Sequence, residues 1–374
     1  MASIAKRDNG KWRARYRDER GKEHARHFDR RVDAKAWLDR VTASVVRGDY
    51  VDPGAGRITF EQWYDEWSAR KVWAGGTVLS ARQAADSVTF ATVPMSKIRA
   101  SHLEQWVKAM TLPAESRKSG LAPSTISTRF NYVQMAFQAA VRDRVIQHNP
   151  CASVVLPSAR RQEAAMVLPE AAEVAKVLRL LEGRPFGTFV ALCAFAGLRL
   201  GEAAGLQVGD VDFLRRTLSV SRQVQGQTVA TTEIVPPKHG SERVVHIPAE
   251  LADLVAAHVS RLGAWGDEQW LFGSAADVRL NRNSAGNLWR GVRGRAGLSA
   301  DLTLHDLRHW FASGLIAAGC DVVTVQKALG HSSADITLKV YAHLWPTAAD
   351  KTRTAATAMM RGVLADPERT EAVE

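Results

Sequence analysis

Apolar positions recur along this chain with three different rhythms. At the N-terminus, Lys11-Trp12-Arg13-Ala14-Arg15-Tyr16-Arg17 alternates basic residues with apolar or small ones. A period of two belongs to a strand with two unlike faces. Residues 1–28 therefore predict a small antiparallel sheet, with Asp18-Glu19-Arg20-Gly21 as a turn and Glu23 to Phe28 as the return strand. Arg31 to Val46 predicts a helix whose apolar side carries Ala36, Trp37, Val41 and Ala43. From residue 59 the spacing changes to three and four. Thr59-x-x-Gln62 is a capping box for a helix bearing Phe60, Trp63, Tyr64 and Trp67, and Ser101 to Met110 gives a second helix. The third opens at Pro123-Ser124, repeats Ile126, Phe130, Val133, Phe137 and Val141, and ends at His148-Asn149-Pro150. Residues 72–94 follow neither rhythm and receive no element.

The third rhythm is mixed. Glu170 to Leu181 and Phe189 to Phe195 read as helices. Thr217 to Ser221, Ala230 to Val235 and Arg243 to Ile247 read as three short strands of one antiparallel sheet. Leu251 to Leu262 and Asn283 to Ala296 are again helical, and Ser332-x-x-Asp335 is a capping box that restarts a helix after Gly330. A tail helix over 348–364 would carry Met359, Met360, Val363 and Leu364. Polar, Gly- and Pro-bearing stretches at Gly48–Arg57 and Leu156–Met166 separate the rhythms. The expected architecture is multidomain: a small β-sheet plus helix over 1–55, an all-α domain over 57–157, and a mainly α (α+β) domain over 165–374 with a three-stranded antiparallel sheet. A chain of 374 residues is long enough for two or three domains.

Charge changes this picture. The chain carries a net +11, which favours an acidic partner, most often nucleic acid, although a merely basic enzyme has the same sum. Location is more informative, since residues 1–40 hold thirteen Lys and Arg against seven Asp and Glu. Lys11, Arg13, Arg15 and Arg17 share one strand face, which can enter a DNA major groove as a ribbon. A solvated hairpin has the same pattern. On the helix from Pro123, Arg129 can meet a phosphate, as can Arg142 and Arg144 beyond it, with solvated surface charge as the default. The cysteines, Cys151, Cys193 and Cys320, are odd in number and lack CxxC spacing, so they predict a reducing cytoplasm and no zinc site. No secretory leader opens the chain and no apolar run reaches ~18 residues, so no membrane association is expected.

The chemistry is densest in Leu302–Pro346. His305 and Arg308 in HDLRH lie three apart on one helical face, His331 follows a helix stop, and Tyr341 ends the next helix. Cationic and proton-exchanging groups beside one hydroxyl nucleophile suit a phosphate. Individually each has a structural explanation. Arg199 can be the salt-bridge partner of Glu202, Lys238 a turn lysine, His305 and His331 a helix-start and a loop histidine, Arg308 a surface arginine and Tyr341 a core tyrosine.

Taken together, the segments resemble the tyrosine recombinases of the phage integrase type. AGLRLGEAAGLQVGDVD resembles the family's first box, with Arg199 as its arginine. PPKHGSERVVHIP resembles the hairpin that presents the family lysine, at Lys238. LHDLRHWFAS resembles the His-x-x-Arg box, LGHSS supplies His331, and LKVYAHLWP supplies Tyr341 as nucleophile. STISTRFNYVQMAFQAAV with its Asn-Pro ending is similar to a core-site-binding domain, and residues 1–50 to an arm-site-binding domain. Residues 72–94 lack the family's usual Leu-Pro-x-Leu-Gly turn, and His309, common in the family, is not carried over as catalytic. The resemblance implies a site-specific recombinase that cuts and rejoins double-stranded DNA through a 3′-phosphotyrosyl link, acting as a homotetramer on core and arm sites, with a host DNA-bending factor and a directionality factor as further partners. It implies no cofactor or metal, because the link conserves the phosphoester energy. A bacterial cytoplasm, close to the nucleoid, is the implied location. A type IB topoisomerase-like nicking-sealing enzyme and a non-catalytic DNA-binding regulator remain alternatives at this point.

Overall fold

A computed structural model describes residues 2–18, 21–47, 50–52, 54–114, 118–157, 168–226, 228–273, 280–345, 353 and 356–361. The chain divides into two compact units, Met1–Gln162 and Glu163–Glu374. Among the described residues no helix is long and apolar enough to cross a membrane.

The first unit opens with β1 (Ser3–Lys6), β2 (Trp12–Arg17) and β3 (Glu23–Phe28), an antiparallel sheet in that order, followed by α1 (Arg31–Arg47). The alternation in β2 acts as its sequence predicts: Ala14 and Tyr16 are buried, while Arg15 and Arg17 are exposed. Tyr16 joins Leu38 and Tyr50 in a small core of its own. Tyr50 belongs to the stretch expected to be a linker, yet its hydroxyl lies 2.7 Å from that of Tyr16, and Asp52 pairs with Lys22 at 3.0 Å. The described part of that stretch is therefore packed onto the sheet, because its aromatic ring has apolar surface to bury.

Four helices follow: α2 (Phe60–Ala69), α3 (Gly75–Asp86), α4 (Ala100–Met110) and α5 (Pro123–Arg142). The Thr59–Gln62 capping box is present in both directions. Phe60, Trp63, Tyr64 and Trp67 meet Ile126, Phe130, Val133 and Phe137 in a separate core. Helix α3 lies within 72–94, where no element was expected. It buries only Ala81 and Ala84 and leaves Val78 and Leu79 half exposed, so it carries little apolar periodicity.

The second unit begins with α6 (Ala171–Leu180), α7 (Pro185–Phe195) and the short α8 (Leu200–Ala204). Strands β4 (Val211–Asp212), β5 (Thr217–Val220), β6 (Gln223–Gln225), β7 (Glu233–Val235) and β8 (Arg243–His246) form two sheets, a three-stranded one ordered β4-β5-β8 and the hairpin β6-β7. The expected strand at Ala230–Val235 is shorter and lies in the hairpin. The Thr228 backbone N–H donates to the Thr231 hydroxyl across a 3-10 turn at Val229–Thr231, which curls the chain before it can extend. Helices α9 (Ala249–Leu262), α10 (Arg282–Ala296), α11 (Leu304–Ala317), α12 (Val322–Leu329) and α13 (Ala334–Tyr341) complete the unit. Helix α13 is capped at Ser333, with no side-chain cap hydrogen bond, so the expected Ser332–Asp335 box does not form. Its N-cap residue is extended, and Thr337 instead meets His331. Of the tail, residues 356–361 are helical, with Met359 and Met360 exposed; Val363 and Leu364 lie outside the described residues. Most of Leu156–Met166 does too.

Candidate active site

Segments far apart in the sequence converge within the second unit. After α7 the chain turns at Gly197, whose φ is +62°. A Cβ there would stand 2.4 Å from the Phe311 ring of α11, so both the conformation and the close packing require glycine. The turn delivers Arg199 immediately before α8. Its backbone N–H donates to Glu202 Oε2 at 3.0 Å and its guanidinium to Oε1 at 2.6 Å. Arg243, from β8, donates to the same carboxylate at 2.9 Å, and Arg308 approaches to 3.9 Å. Glu202 is fully buried. Burial alone would raise its carboxyl, but the hydrogen bonds from Arg243, helped by Arg199, hold it below the usual range. One ionised carboxylate thus faces three guanidinium groups.

Arg308 links the converging segments. It is 2% exposed, and its two terminal nitrogens donate to Gly197 O, ahead of Arg199, and to Leu329 O, at the end of α12. Burial first, and then Arg199, push it down to about 9. Helix α12 stops at Gly330, whose φ is +62° and where a Cβ would meet the Arg243 side chain at 2.9 Å. His331 follows. Its Nδ1 lies 2.9 Å from the Thr337 hydroxyl, and burial, then Arg308 and Arg199, lower it to about 4. His305 occupies the outer edge of α11, one turn before Arg308. Desolvation by the surrounding protein, then His309 and Arg308, lower it to about 4 as well. Both imidazoles are neutral at pH 7.

Tyr341 closes α13. It is 1% exposed and packs with Ala312, Ile316, Val325 and Leu329. Its hydroxyl lies 2.6 Å from His309 Nδ1. Burial raises it to about 12, with Arg308 acting in the opposite direction. Lys238 is exposed on a one-turn 3-10 helix, Lys238–Gly240, between β7 and β8. That turn is anchored at its far end, where Arg199 donates to the Ser241 hydroxyl at 3.1 Å.

The model of the phage integrase family matches residues 177–347, and that of the phage integrase N-terminal domain matches residues 2–47. A tyrosine recombinase XerC of Herpetosiphon aurantiacus is 32% identical over 232 residues, 60% of this chain and 70% of that one. The chain belongs to the phage integrase family of tyrosine recombinases. The prophage phiRv2 integrase of Mycobacterium tuberculosis is 25% identical to this recombinase over 354 residues, 91% of this chain and 90% of that one. Among solved structures, the Tn1549 transposon integrase in complex with a circular intermediate DNA has the same fold, with a TM-score of 0.68 at 22% identity, covering 81% of this chain and 99% of that one. The protein is a site-specific recombinase, a DNA strand-transferase enzyme, and membership decides against the topoisomerase-like and non-catalytic alternatives.

Of the six positions singled out in the recombinase sequence, Arg199, His305, Arg308, His331 and Tyr341 come together around Glu202 and His309. Lys238 stands on an anchored turn and is exposed. Lys11, Arg13, Arg15, Arg17 and Arg129 all belong to the other unit. Arg13 pairs with Glu23 at 3.3 Å, Arg15 donates to the Ser3 hydroxyl at 2.7 Å, and Lys11 pairs with Asp29 at 3.5 Å. Arg129 lines a polar recess with Ser80, Gln83, Ser124, Thr125 and Thr128. The sequence did not single out Arg243 and His309 as parts of the site, and Glu202 had only the role of a salt-bridge partner. Each sits inside a motif already quoted, and the signal that finds them is their contact with the motif residues.

Proposed function

We propose that this recombinase cleaves a DNA strand by attack of Tyr341 on a phosphodiester held by Arg199 and Arg308, and reseals it by the reverse step. The observation that carries this reading is charge that is only partly compensated: Arg199, Arg243 and Arg308 crowd one buried carboxylate, Glu202. Arg308 is buried in that cluster and is pushed down by burial and then by Arg199, and a desolvated, perturbed cation is a signature of a site awaiting an anion. A pentacoordinate phosphorus places extra negative charge on its non-bridging oxygens, and guanidinium forks bind it bidentately while staying ionised. Neutral His305 and His331 can donate to those oxygens or exchange protons near neutral pH. Lys238, on its exposed turn, protonates the leaving 5′-oxygen, and Tyr341 keeps the 3′-phosphate. The phosphoester energy stays in that bond, so no cofactor is called on.

Residues 1–55 serve as an arm-type DNA-binding domain, with Lys11, just ahead of β2, and Arg13, Arg15 and Arg17, on its outward face, as its phosphate contacts. Residues 57–157, with Arg129, grip the core site, and residues 165–374 carry the chemistry. The substrate is double-stranded attachment-site DNA of a phage or mobile element, engaged by a homotetramer that spans two duplexes. A host bending factor and a directionality factor complete the assembly at the bacterial nucleoid. The test is a suicide substrate. The Lys238→Ala variant should cleave a normal phosphodiester slowly and a 5′-bridging thiolate, which leaves without a proton, at near the wild-type rate. No rescue by the thiolate would assign the leaving-group acid to another residue.

A further inference from the structure

The histidine after Arg308 is unused in that scheme, yet it touches the nucleophile. His309 Nδ1 lies 2.6 Å from the Tyr341 hydroxyl oxygen, within hydrogen-bond distance for transfer. The ring sits one turn beyond His305, whose edge it meets with centroids 4.7 Å apart, so its orientation is fixed on one side by a second imidazole. The other candidates are placed differently. His331 commits its Nδ1 to Thr337, and Lys238 is exposed on its turn. Arg308 donates to Gly197 O and Leu329 O and, as a guanidinium, has no lone pair to take a proton.

We infer that His309 accepts the proton of the Tyr341 hydroxyl as that oxygen attacks phosphorus, and returns it on resealing. The inference rests on Tyr341 being the nucleophile. In the step, the Tyr341 O–P bond forms as the P–O5′ bond breaks. The phenolic proton moves to His309 Nδ1, and the 5′-oxygen takes a proton from Lys238. Resealing reverses each transfer, so charge and atoms balance. A base is needed because burial holds the phenol at about 12, which leaves on the order of one phenolate in 10⁵ at neutral pH. Burial also lowers His309, favouring the neutral ring at pH 7, and the inference takes the tautomer whose Nδ1 accepts from Tyr341. The titratable groups facing it are His305, Asp306 and Arg308 on its own helix, His331 after α12 and Tyr341 on α13. Asp306 and the arriving phosphate favour the imidazolium that forms, against Arg308.

The test compares wild type, His309→Asn and His309→Ala in the full-length recombinase on suicide substrates with a bridging 5′-oxygen or 5′-sulfur. His309→Asn keeps an acceptor near the Nδ1 position but takes no proton at pH 7. Both variants should bind DNA with wild-type affinity in gel shifts and lose roughly 10²-fold or more in cleavage rate. Their rates should climb about tenfold per pH unit from 7 to 9, where wild type is flat, and the 5′-sulfur substrate should not rescue them. A rate within threefold of wild type, an unchanged pH profile, or rescue by sulfur overturns the inference. Tyrosine mapping of the wild-type adduct separates the two readings: an adduct on Tyr341 with an indifferent His309 refutes only this inference, whereas an adduct elsewhere refutes the nucleophile assignment itself.

Discussion

The two units use arginine in opposite ways. In the first, Arg13, Arg15 and Arg17 stand on the outward face of a strand, and the first two share the single carboxylate of Glu23. The paired side chains are a third to a half exposed, and ion pairs open to solvent are worth little, typically about 0–1 kcal/mol. In the second, Arg308 and Arg243 are buried and Arg199 is mostly so, all three around one carboxylate. There water does not screen the repulsion, and Arg308 falls to about 9. Solvated charge gives reach and salt-dependent affinity. Desolvated charge gives oriented stabilisation of a developing anion. On the proposed function, the same residue type serves two roles according to its burial.

The comparison can be broken most severely at its centre. Glu202→Gln keeps the shape of the side chain but leaves three guanidinium groups without their counter-charge. Removing one member of a buried ionic cluster typically costs about 3–5 kcal/mol, so the melting temperature of the full-length protein should fall by many degrees. An unchanged melting temperature would mean that the cluster is solvated after all. Arg308→Lys keeps charge but loses the fork that spans Gly197 O and Leu329 O. Cleavage should slow by roughly 10²–10³-fold, measured in single turnover with DNA affinity unchanged.

A pH titration of stability sharpens the same contrast. His331, half-buried beside the cluster, is lowered from 6.5 to about 4. A base with a depressed folded value contributes fully above its unfolded value. Between pH 6.5 and 4 the unfolded chain binds more protons, so stability should fall as pH falls through that window. His331→Asn should flatten the fall in chemical-denaturation curves. The smallest effect belongs to the surface. Arg15→Ala with Arg17→Ala should leave core-site cleavage unchanged while reducing the salt slope of arm-site binding by about one for each phosphate that is no longer neutralised.

How much of this was legible in the sequence follows from the range of each interaction. Thr59 and Gln62 are three residues apart, and their reciprocal cap could be read directly. The stripe from Ile126 to Phe137 is large and periodic, and it forms the core of α5. Helix α3 was missed because its buried face is two alanines. The strand at Ala230 was overdrawn because a Thr228–Thr231 turn competes with extension. In the site, Arg199, His305, Arg308, His331 and Tyr341 could be named from motif resemblance, and Glu202 as the neighbour of Arg199, but their distant partners could not. The bond from Arg308 to Gly197 closes 111 residues of chain, and no periodicity encodes that. His309 touches Tyr341 across 32 residues for the same reason.

Tyr341, buried beside a desolvated cationic cluster, is the proposed covalent anchor for DNA. Full-length protein incubated with a nicked suicide substrate, digested and sequenced by mass spectrometry, tests it directly. A 3′-phosphonucleotide is expected on the peptide containing Tyr341, and no adduct at all from Tyr341→Phe while DNA binding persists. An adduct on a different residue, or one formed by Tyr341→Phe, would contradict that role.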